Sequence, residues 1–198
     1  MSFLLGLTGS IGMGKSTAAA MFRDLGHPVW DADEAVHRLY APGGAAVAKV
    51  ASAFPGSWAH GGIDRAALKA ALAKDPAGFP RLEAIVHPLV AADRAGFIAR
   101  HADAPIVVLD IPLLYENGSE EGMDGVAVVS APAEVQRARV MARPDMTPDA
   151  FAMILGRQMP DAEKRARADW IIPSVTLDGA RGAIMDICHE IMAGRPHA

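Results

Sequence analysis

The sequence predicts an α/β fold, and three observations support this prediction. Residues 9–16 read G-x-x-x-x-G-K-S, and they lie between an apolar run at residues 3–7 and a helical pattern from Lys15 to Leu25. Further short apolar runs, each of the length of a buried strand, occur at residues 28–30, 105–110, 125–130 and 168–172. Helical patterns fill the intervals between them. Strands that alternate with helices are typical of an α/β protein.

The motif at residues 9–16 has the spacing of a phosphate-binding loop. Its glycines let the backbone wrap a phosphate with the N–H groups turned inward, and the following helix start adds free N–H groups and a partial positive charge. Lys15 would supply a full charge to the terminal phosphates, and the Ser16 hydroxyl is a candidate ligand of Mg²⁺. The predicted nucleotide-binding residues are Gly9, Ile11, Gly12, Met13, Gly14, Lys15, Ser16 and Thr17.

The second apolar run ends in Asp31-Ala32-Asp33. In open α/β sheets, ligands bind at the carboxyl ends of the strands, so two carboxylates at this point indicate a functional site. One aspartate is also suited to cap the helix that begins near Glu34. We therefore expect one carboxylate to fix the turn and the other to face the reaction centre.

Residues 34–100 have a helical pattern without a convincing strand, and glycine- and proline-rich turns interrupt it. Asp64 is predicted to begin one helix, and two later helices are predicted at residues 80–87 and 88–100, separated at Pro88. We interpret this block as a helical insertion. Four of its side chains could bind an anionic substrate or simply face solvent, and the pattern leaves both alternatives open: Arg65, Arg81, His87 and Arg94.

The clearest strand, at residues 105–110, ends in Asp110, as does the acidic strand that helps to hold Mg²⁺ in P-loop proteins. Glu116 lies in the loop that follows, where it is either functional or a solvated acid. Pro132 is well placed to open a helix that carries Arg139 and Arg143 on one face. A second helix is predicted to begin at Thr147.

Basic residues are dense in these two helices and just beyond them, although the chain as a whole is acidic. This density favours a mobile lid over phosphates, and the alternative is a solvated basic face. A last strand at residues 168–172 and a helix at residues 179–192 follow, with Cys188 on the apolar side of that helix. We therefore expect Cys188 to be a core residue rather than a nucleophile.

The composition suits a soluble protein with one sizeable core: 198 residues, of which 51% are hydrophobic and 21% charged. A net charge of −4 predicts no strong attraction to nucleic acid or to an anionic membrane. No run approaches the roughly 20 apolar residues that span a bilayer. The single cysteine excludes a disulfide framework, so a reducing cytoplasm is expected.

With these motifs in place, the chain closely resembles the dephospho-coenzyme A kinase family over nearly its full length. The phosphate loop alone is shared by many kinases, so the specific evidence is the ordered set of markers. These are residues 7–17, Asp31-Ala32-Asp33, Ile63-Asp64-Arg65, His87-Pro88, Pro112-Leu113-Leu114-Tyr115-Glu116, and Gln136, Arg139 and Arg143, followed by Gln158, Lys164 and Ala168-Asp169. One departure stands out: Pro173-Ser174 replaces the Asp-Asn of many members in the segment expected near the adenine of ATP.

The resemblance implies a P-loop nucleoside-triphosphatase fold, which is a three-layer α/β/α core with a parallel sheet, a helical substrate domain and a helical lid. The domains implied are a core (residues 1–33, 104–135 and 168–198), a substrate domain (34–103) and a lid (136–167). The reaction implied is phosphorylation of the ribose 3′-hydroxyl of dephospho-coenzyme A by ATP with Mg²⁺. We expect a monomer or a weak homo-oligomer.

The resemblance and the motif chemistry together suggest a role for each candidate residue. Asp33 is the preferred base, with Asp31 second, and Lys15 and Arg143 stabilise the transferring phosphoryl group. Arg139 contacts ATP, and Ser16 and Asp110 hold Mg²⁺. The predicted substrate-binding residues are Asp31, Asp33, Arg65, His87, Leu113 and Glu116.

Two other functions remain open from the sequence. A kinase of another small acceptor, such as a nucleoside monophosphate, would share the core and differ in what the insertion binds. A nucleotide switch would carry a threonine-bearing switch loop and often the guanine-reading motif Asn-Lys-x-Asp, and this motif does not occur in the chain.

Overall fold

The computed structural model describes residues 2–194, which divide into two compact units. One unit contains residues 2–30 and 101–194, and the other is Asp31–Arg100. Each unit has its own hydrophobic core. No helix within residues 2–194 combines the length and the apolar character that a membrane crossing requires.

The first unit is built on a five-stranded sheet, which confirms the predicted α/β class. The strands are β1 (Phe3–Thr8), β2 (Val29–Asp31), β5 (Ile106–Asp110), β6 (Gly125–Ser130) and β7 (Trp170–Pro173). Asp31, the last residue of β2, is also the first residue of the second unit, and β3 and β4 belong to that unit. Their order across the sheet is β2-β5-β1-β6-β7. Central β1 pairs in parallel with β5 and β6, and β7 pairs in parallel with β6.

The first unit also contains five helices among the described residues. The first is α1 (Lys15–Asp24), and four follow the second unit in the chain: α6 (Ala133–Met141), α7 (Pro148–Leu155), α8 (Asp161–Arg167) and α9 (Leu177–Met192). A short 3-10 turn, Ser119–Gly122, precedes β6. The core lies where α1 and α9 pack on the sheet. Cys188 belongs to it, as predicted, and burial raises the pKa of its thiol to about 11. Thr147 caps α7 with Pro148 at its first position, which is also confirmed.

The second unit contains α2 (Ala32–Tyr40), α3 (Val47–Ala53), α4 (Arg65–Lys74) and α5 (Gly78–Arg100), together with a two-stranded antiparallel ladder of β3 (Trp58–Ala59) and β4 (Gly62–Ile63). The Asp64 side chain caps α4, as expected. Two expectations are wrong here. The first is the expectation that residues 34–100 contain no strand. The segment contains this small hairpin, with His60 and Gly61 at positive φ in its turn.

The second incorrect expectation concerns the helices at residues 80–100, which form one continuous helix through Pro88. An internal proline costs a backbone hydrogen bond, and here the helix continues because apolar side chains on both sides of Pro88 pack against the same core. Leu82 and Ile85 lie before it, and Leu89 and Val90 lie after it.

Candidate active site

The phosphate loop joins the end of β1 to α1 and requires its glycines for reasons of space and conformation. Gly12 and Gly14 have φ of 77° and 88°, a region that favours glycine. A Cβ at Gly9 would lie 2.7 Å from the carbonyl oxygen of Val129, and one at Gly12 would lie 2.5 Å from Cγ2 of Val140. The loop is therefore packed closely against β6 and α6.

Free amides and a cation meet at the start of α1. Lys15 and Ser16 are its first two residues, so their N–H groups have no acceptor within the helix. The Ser16 side chain is exposed. Such a helix start binds anions, because its N–H groups and the helix dipole both favour negative charge.

The structure brings Lys15 and Asp110 together. The Lys15 ammonium forms an ion pair with the Asp110 carboxylate at the end of β5, and the two side chains are 15% and 1% exposed. In the sheet register, Asp110 lies opposite Leu7 of β1. The carboxylate thus lies beside the phosphate loop, as expected for the acid at the end of this strand.

Two glutamine side chains hold the peptide groups of Ile11. The Gln136 side chain is buried, and its Nε2 donates to the Ile11 carbonyl oxygen at 2.8 Å. The Ile11 N–H donates to Oε1 of Gln158 at 3.0 Å. Both glutamines come from the segment 136–167, so this segment is attached directly to the phosphate loop.

Ser174 is a site residue that sequence reasoning missed. Its hydroxyl donates to the carbonyl oxygen of Met13 at 2.6 Å and accepts from Nη1 of Arg139 at 3.0 Å. Nη2 of Arg139 donates to the Ser174 carbonyl oxygen. A Cβ at Gly14 would lie 3.6 Å from the Arg139 guanidinium. The predicted nucleotide-binding Arg139 therefore lies against the loop, and the residue that departs from the family pattern holds it there.

The Glu116 carboxylate is not a solvated acid, because it has two partners within the protein. Its carboxylate pairs with the fully buried ammonium of Lys164 at 2.8 Å and accepts from the N–H of Met159 at 2.8 Å. Burial by itself would raise the pKa of Glu116, but the hydrogen bonds from Lys164 and Met159 outweigh it, so the pKa is lowered. Glu116 therefore ties the loop after β5 to α8.

Replacement of Glu116 by glutamine should destabilise the protein by about 3 kcal/mol at neutral pH, because it leaves the Lys164 charge buried without its partner. A lowered carboxylate pKa stabilises the folded state above the ordinary glutamate pKa of about 4.3. This contribution is lost as the pH falls through the lower folded value. The free energy of unfolding should be measured in urea at pH 7 and at acid pH. The difference in this free energy between wild type and Glu116→Gln should be smaller at acid pH.

Glu121→Gln is the matched control for this experiment, because Glu121 is an exposed acid near the same loop. It should change stability little at either pH. A destabilisation by Glu116→Gln that is equal at both pH values would contradict the ion-pair explanation.

The predicted substrate residues of the second unit have different environments. The Asp31 carboxylate caps α2 by accepting from the N–H groups of Asp33 and Glu34 at 2.8 and 3.0 Å. This confirms that one aspartate fixes the turn, although α2 begins at Ala32 rather than near Glu34. The Asp33 side chain is exposed. His87 is exposed on α5.

Arg65 lines a cavity of about 330 Å³ within the second unit, together with Tyr40, His37, His60 and Asp64. Burial raises the pKa of Tyr40, and the positive charge of Arg65 partly offsets this rise. The remaining candidates lie in the first unit: Leu113 is partly exposed in the turn after β5, and Arg143 is exposed just beyond α6.

Comparison with known proteins identifies the family. The family model described as dephospho-CoA kinase matches residues 3–177. A dephospho-CoA kinase from Cereibacter sphaeroides is 60% identical over 189 residues, which cover 96% of this chain and 95% of the relative. One from Ruegeria pomeroyi is 56% identical over 198 residues and the full length of both chains.

Solved structures agree with the fold. A crystal structure of a protein from Thermus thermophilus, 34% identical, superposes with a TM-score of 0.84 over 98% of each chain. The dephospho-CoA kinase from Campylobacter jejuni superposes with a TM-score of 0.67 over 96% of this chain and 97% of the other; at 24% identity it supports the fold alone. From the family model and the full-length relatives together, the chain belongs to the dephospho-CoA kinase family.

Proposed function

We propose that the chain transfers the γ-phosphoryl group of ATP to the ribose 3′-hydroxyl of dephospho-coenzyme A, giving ADP and coenzyme A. The observation that carries the proposal is the phosphate loop with its Lys15–Asp110 pair, in a chain of this family. The N–H groups at the start of α1 and the Lys15 ammonium together suit the β- and γ-phosphates of a nucleotide.

The donor set at the loop also fits Mg²⁺, which prefers oxygen ligands from one or two protein groups together with substrate phosphates. Ser16 presents an exposed hydroxyl at the second position of α1, and Asp110 presents a carboxylate at the adjacent strand end. Mg²⁺ held by these two residues would neutralise charge on the phosphates. On nucleotide binding, Lys15 would exchange its contact with Asp110 for the phosphates.

The parts of the chain divide the remaining work. We assign the core to residues 1–33, 104–135 and 168–198, of which residues 1 and 195–198 lie outside the described residues. We assign acceptor binding to residues 34–103 with Arg65 and His87, and a lid to residues 136–167. Asp33 accepts the proton of the ribose hydroxyl, and Arg143 stabilises the transferring group. A lid that excludes water would also limit wasteful hydrolysis of ATP. We place the enzyme in the cytoplasm, in keeping with a single, buried cysteine.

The purified protein should phosphorylate dephospho-coenzyme A from ATP, and it should use nucleoside monophosphates poorly or not at all. Lys15→Ala should lower kcat/KM by at least about 100-fold, because it removes a fixed charge from the developing negative charge. Arg23→Ala is the matched control, since Arg23 is an exposed cation at the other end of α1. Product can be measured as coenzyme A by chromatography.

Two results would contradict the proposal. Faster turnover of a nucleoside monophosphate than of dephospho-coenzyme A would favour the alternative kinase. Undiminished transfer by folded Lys15→Ala would remove the phosphate loop from the mechanism, and thermal unfolding establishes whether the variant is folded.

A further inference from the structure

Two side chains outside the phosphate loop donate hydrogen bonds to carbonyl groups inside it. Nε2 of Gln136 donates to the Ile11 carbonyl oxygen at 2.8 Å, and Oγ of Ser174 donates to that of Met13 at 2.6 Å. Gln136 lies on α6 with only 6% of its surface exposed, and Ser174 directly follows β7. Gln136 therefore lies on a helix of the first unit, and Ser174 lies just beyond one of its strands.

These bonds also determine where the next amide in the chain points. In a planar trans peptide, the carbonyl oxygen and the following N–H point in opposite directions. All described peptides are trans. The N–H of Gly12 therefore points away from Gln136, and the N–H of Gly14 points away from Ser174.

The peptide groups between Ile11 and Gly12 and between Met13 and Gly14 need such a hydrogen bond to fix their orientation. Each one precedes a glycine with positive φ, 77° at Gly12 and 88° at Gly14. Glycine populates positive and negative φ about equally, so a peptide beside it can rotate between two orientations at low cost. A donor that holds the carbonyl selects one orientation before any nucleotide arrives, and preorganised donors of this kind stabilise developing charge most effectively.

We propose that Gln136 and Ser174 are positioning residues for phosphoryl transfer: by holding the carbonyls of Ile11 and Met13, they keep the Gly12 and Gly14 amides directed at the phosphates of ATP. The inference rests on the proposed function, because it assigns these amides to the nucleotide of that same site. Neither side chain has to touch ATP for this role.

Gln158 provides a matched comparison, because it bonds to the same residue with the opposite polarity. Its Oε1 accepts from the N–H of Ile11 at 3.0 Å, whereas Gln136 must present an N–H donor. Gln158→Glu retains an acceptor oxygen, whereas Gln136→Glu replaces a donor with an oxygen that repels the carbonyl. Both substitutions add one negative charge beside the loop, so the charge itself is common to both.

The experiment compares these two variants in the full-length protein. Gln136→Glu should raise the KM for ATP and lower kcat, with about a tenfold or greater fall in kcat/KM for ATP, since outright removal of one donor costs about 10²–10³-fold in other enzymes. The KM for dephospho-coenzyme A should stay within about twofold, because the positioning acts on the nucleotide. Gln158→Glu should cause a fall in kcat/KM at least several times smaller.

Ser174→Ala tests the second anchor at a half-buried position that tolerates truncation. The ATP dissociation constant, measured by calorimetry, should rise severalfold, with the unfolding temperature nearly unchanged. This measurement also decides the question if Gln136→Glu does not fold.

Two results would overturn the inference: equal losses in the two glutamate variants, or unchanged ATP affinity in Ser174→Ala. Either result tests the inference only if the wild-type protein phosphorylates dephospho-coenzyme A. A wild type without that activity would instead contradict the proposed function.

Discussion

Replacement of Arg143 by alanine should lower kcat by about 10³-fold or more, with much smaller changes in the affinity for ATP and in the KM for dephospho-coenzyme A. Arg143 follows α6, its side chain is exposed, and no ion pair of Arg143 occurs among residues 2–194. Among the described residues, the guanidinium of Arg143 is therefore available to bind a phosphoryl group. A guanidinium that reaches the phosphoryl group only in the transition state lowers the barrier without tightening ground-state binding.

Steady-state and single-turnover kinetics would measure this effect. Arg137→Ala is the matched control, because Arg137 is an exposed arginine on α6 itself and has no proposed role. Arg143→Lys should recover only part of the loss, since an ammonium cannot reproduce the planar, forked donor of arginine. A kcat for Arg143→Ala within tenfold of wild type would contradict the role, as would an equal effect of Arg137→Ala.

The phosphate loop and its strands could be predicted because their information is local. A glycine-rich turn between an apolar run and a helix start defines β1, the loop and α1 within about 25 residues. The strand predicted at residues 125–130 coincides with β6 for a similar reason, since a short β-branched run in a buried sheet has few alternatives. The caps at Asp64 and Thr147 follow from side-chain chemistry next to the backbone.

The errors in the second unit arise where tertiary packing outweighs local preference. The continuous α5 keeps Pro88 because the core of this unit is shared by side chains on both of its halves. The hairpin of β3 and β4 has only two residues in each strand, too few to show an alternating pattern. Neither feature is encoded in a short window of sequence.

The same distinction applies to the candidate site. That one of the two aspartates caps a helix could be predicted, because an aspartate before a helical pattern is a local signal. The contacts of Ser174 and Gln158 with the loop could not, since they join residues 161 and 147 positions apart. The sequence singles out Gln158 as a family marker and Ser174 as a departure from the family pattern, but neither observation identifies the backbone group of the loop that the side chain contacts. The role of Glu116 is open from the sequence because its partner Lys164 lies far along the chain, and no local pattern indicates that the two side chains pair.

Asp33→Asn should reduce kcat by about 10²–10⁴-fold, the range for loss of a positioned general base, while ATP affinity changes little. The reason for choosing Asp33 over Asp31 is geometric. The Asp31 carboxylate accepts two backbone N–H groups and caps α2, whereas the structure gives the exposed Asp33 carboxylate no hydrogen bond among the described residues. Asp33 can therefore accept a proton without loosening the helix.

The two aspartates provide their own control. Asparagine caps helices as well as aspartate does, so Asp31→Asn should keep α2 intact and lower kcat far less than Asp33→Asn. If Asp31→Asn proved the more damaging change, or if Asp33→Asn kept a kcat near that of wild type, the base would have to be a residue other than Asp33, because an uncharged amide cannot accept the ribose proton.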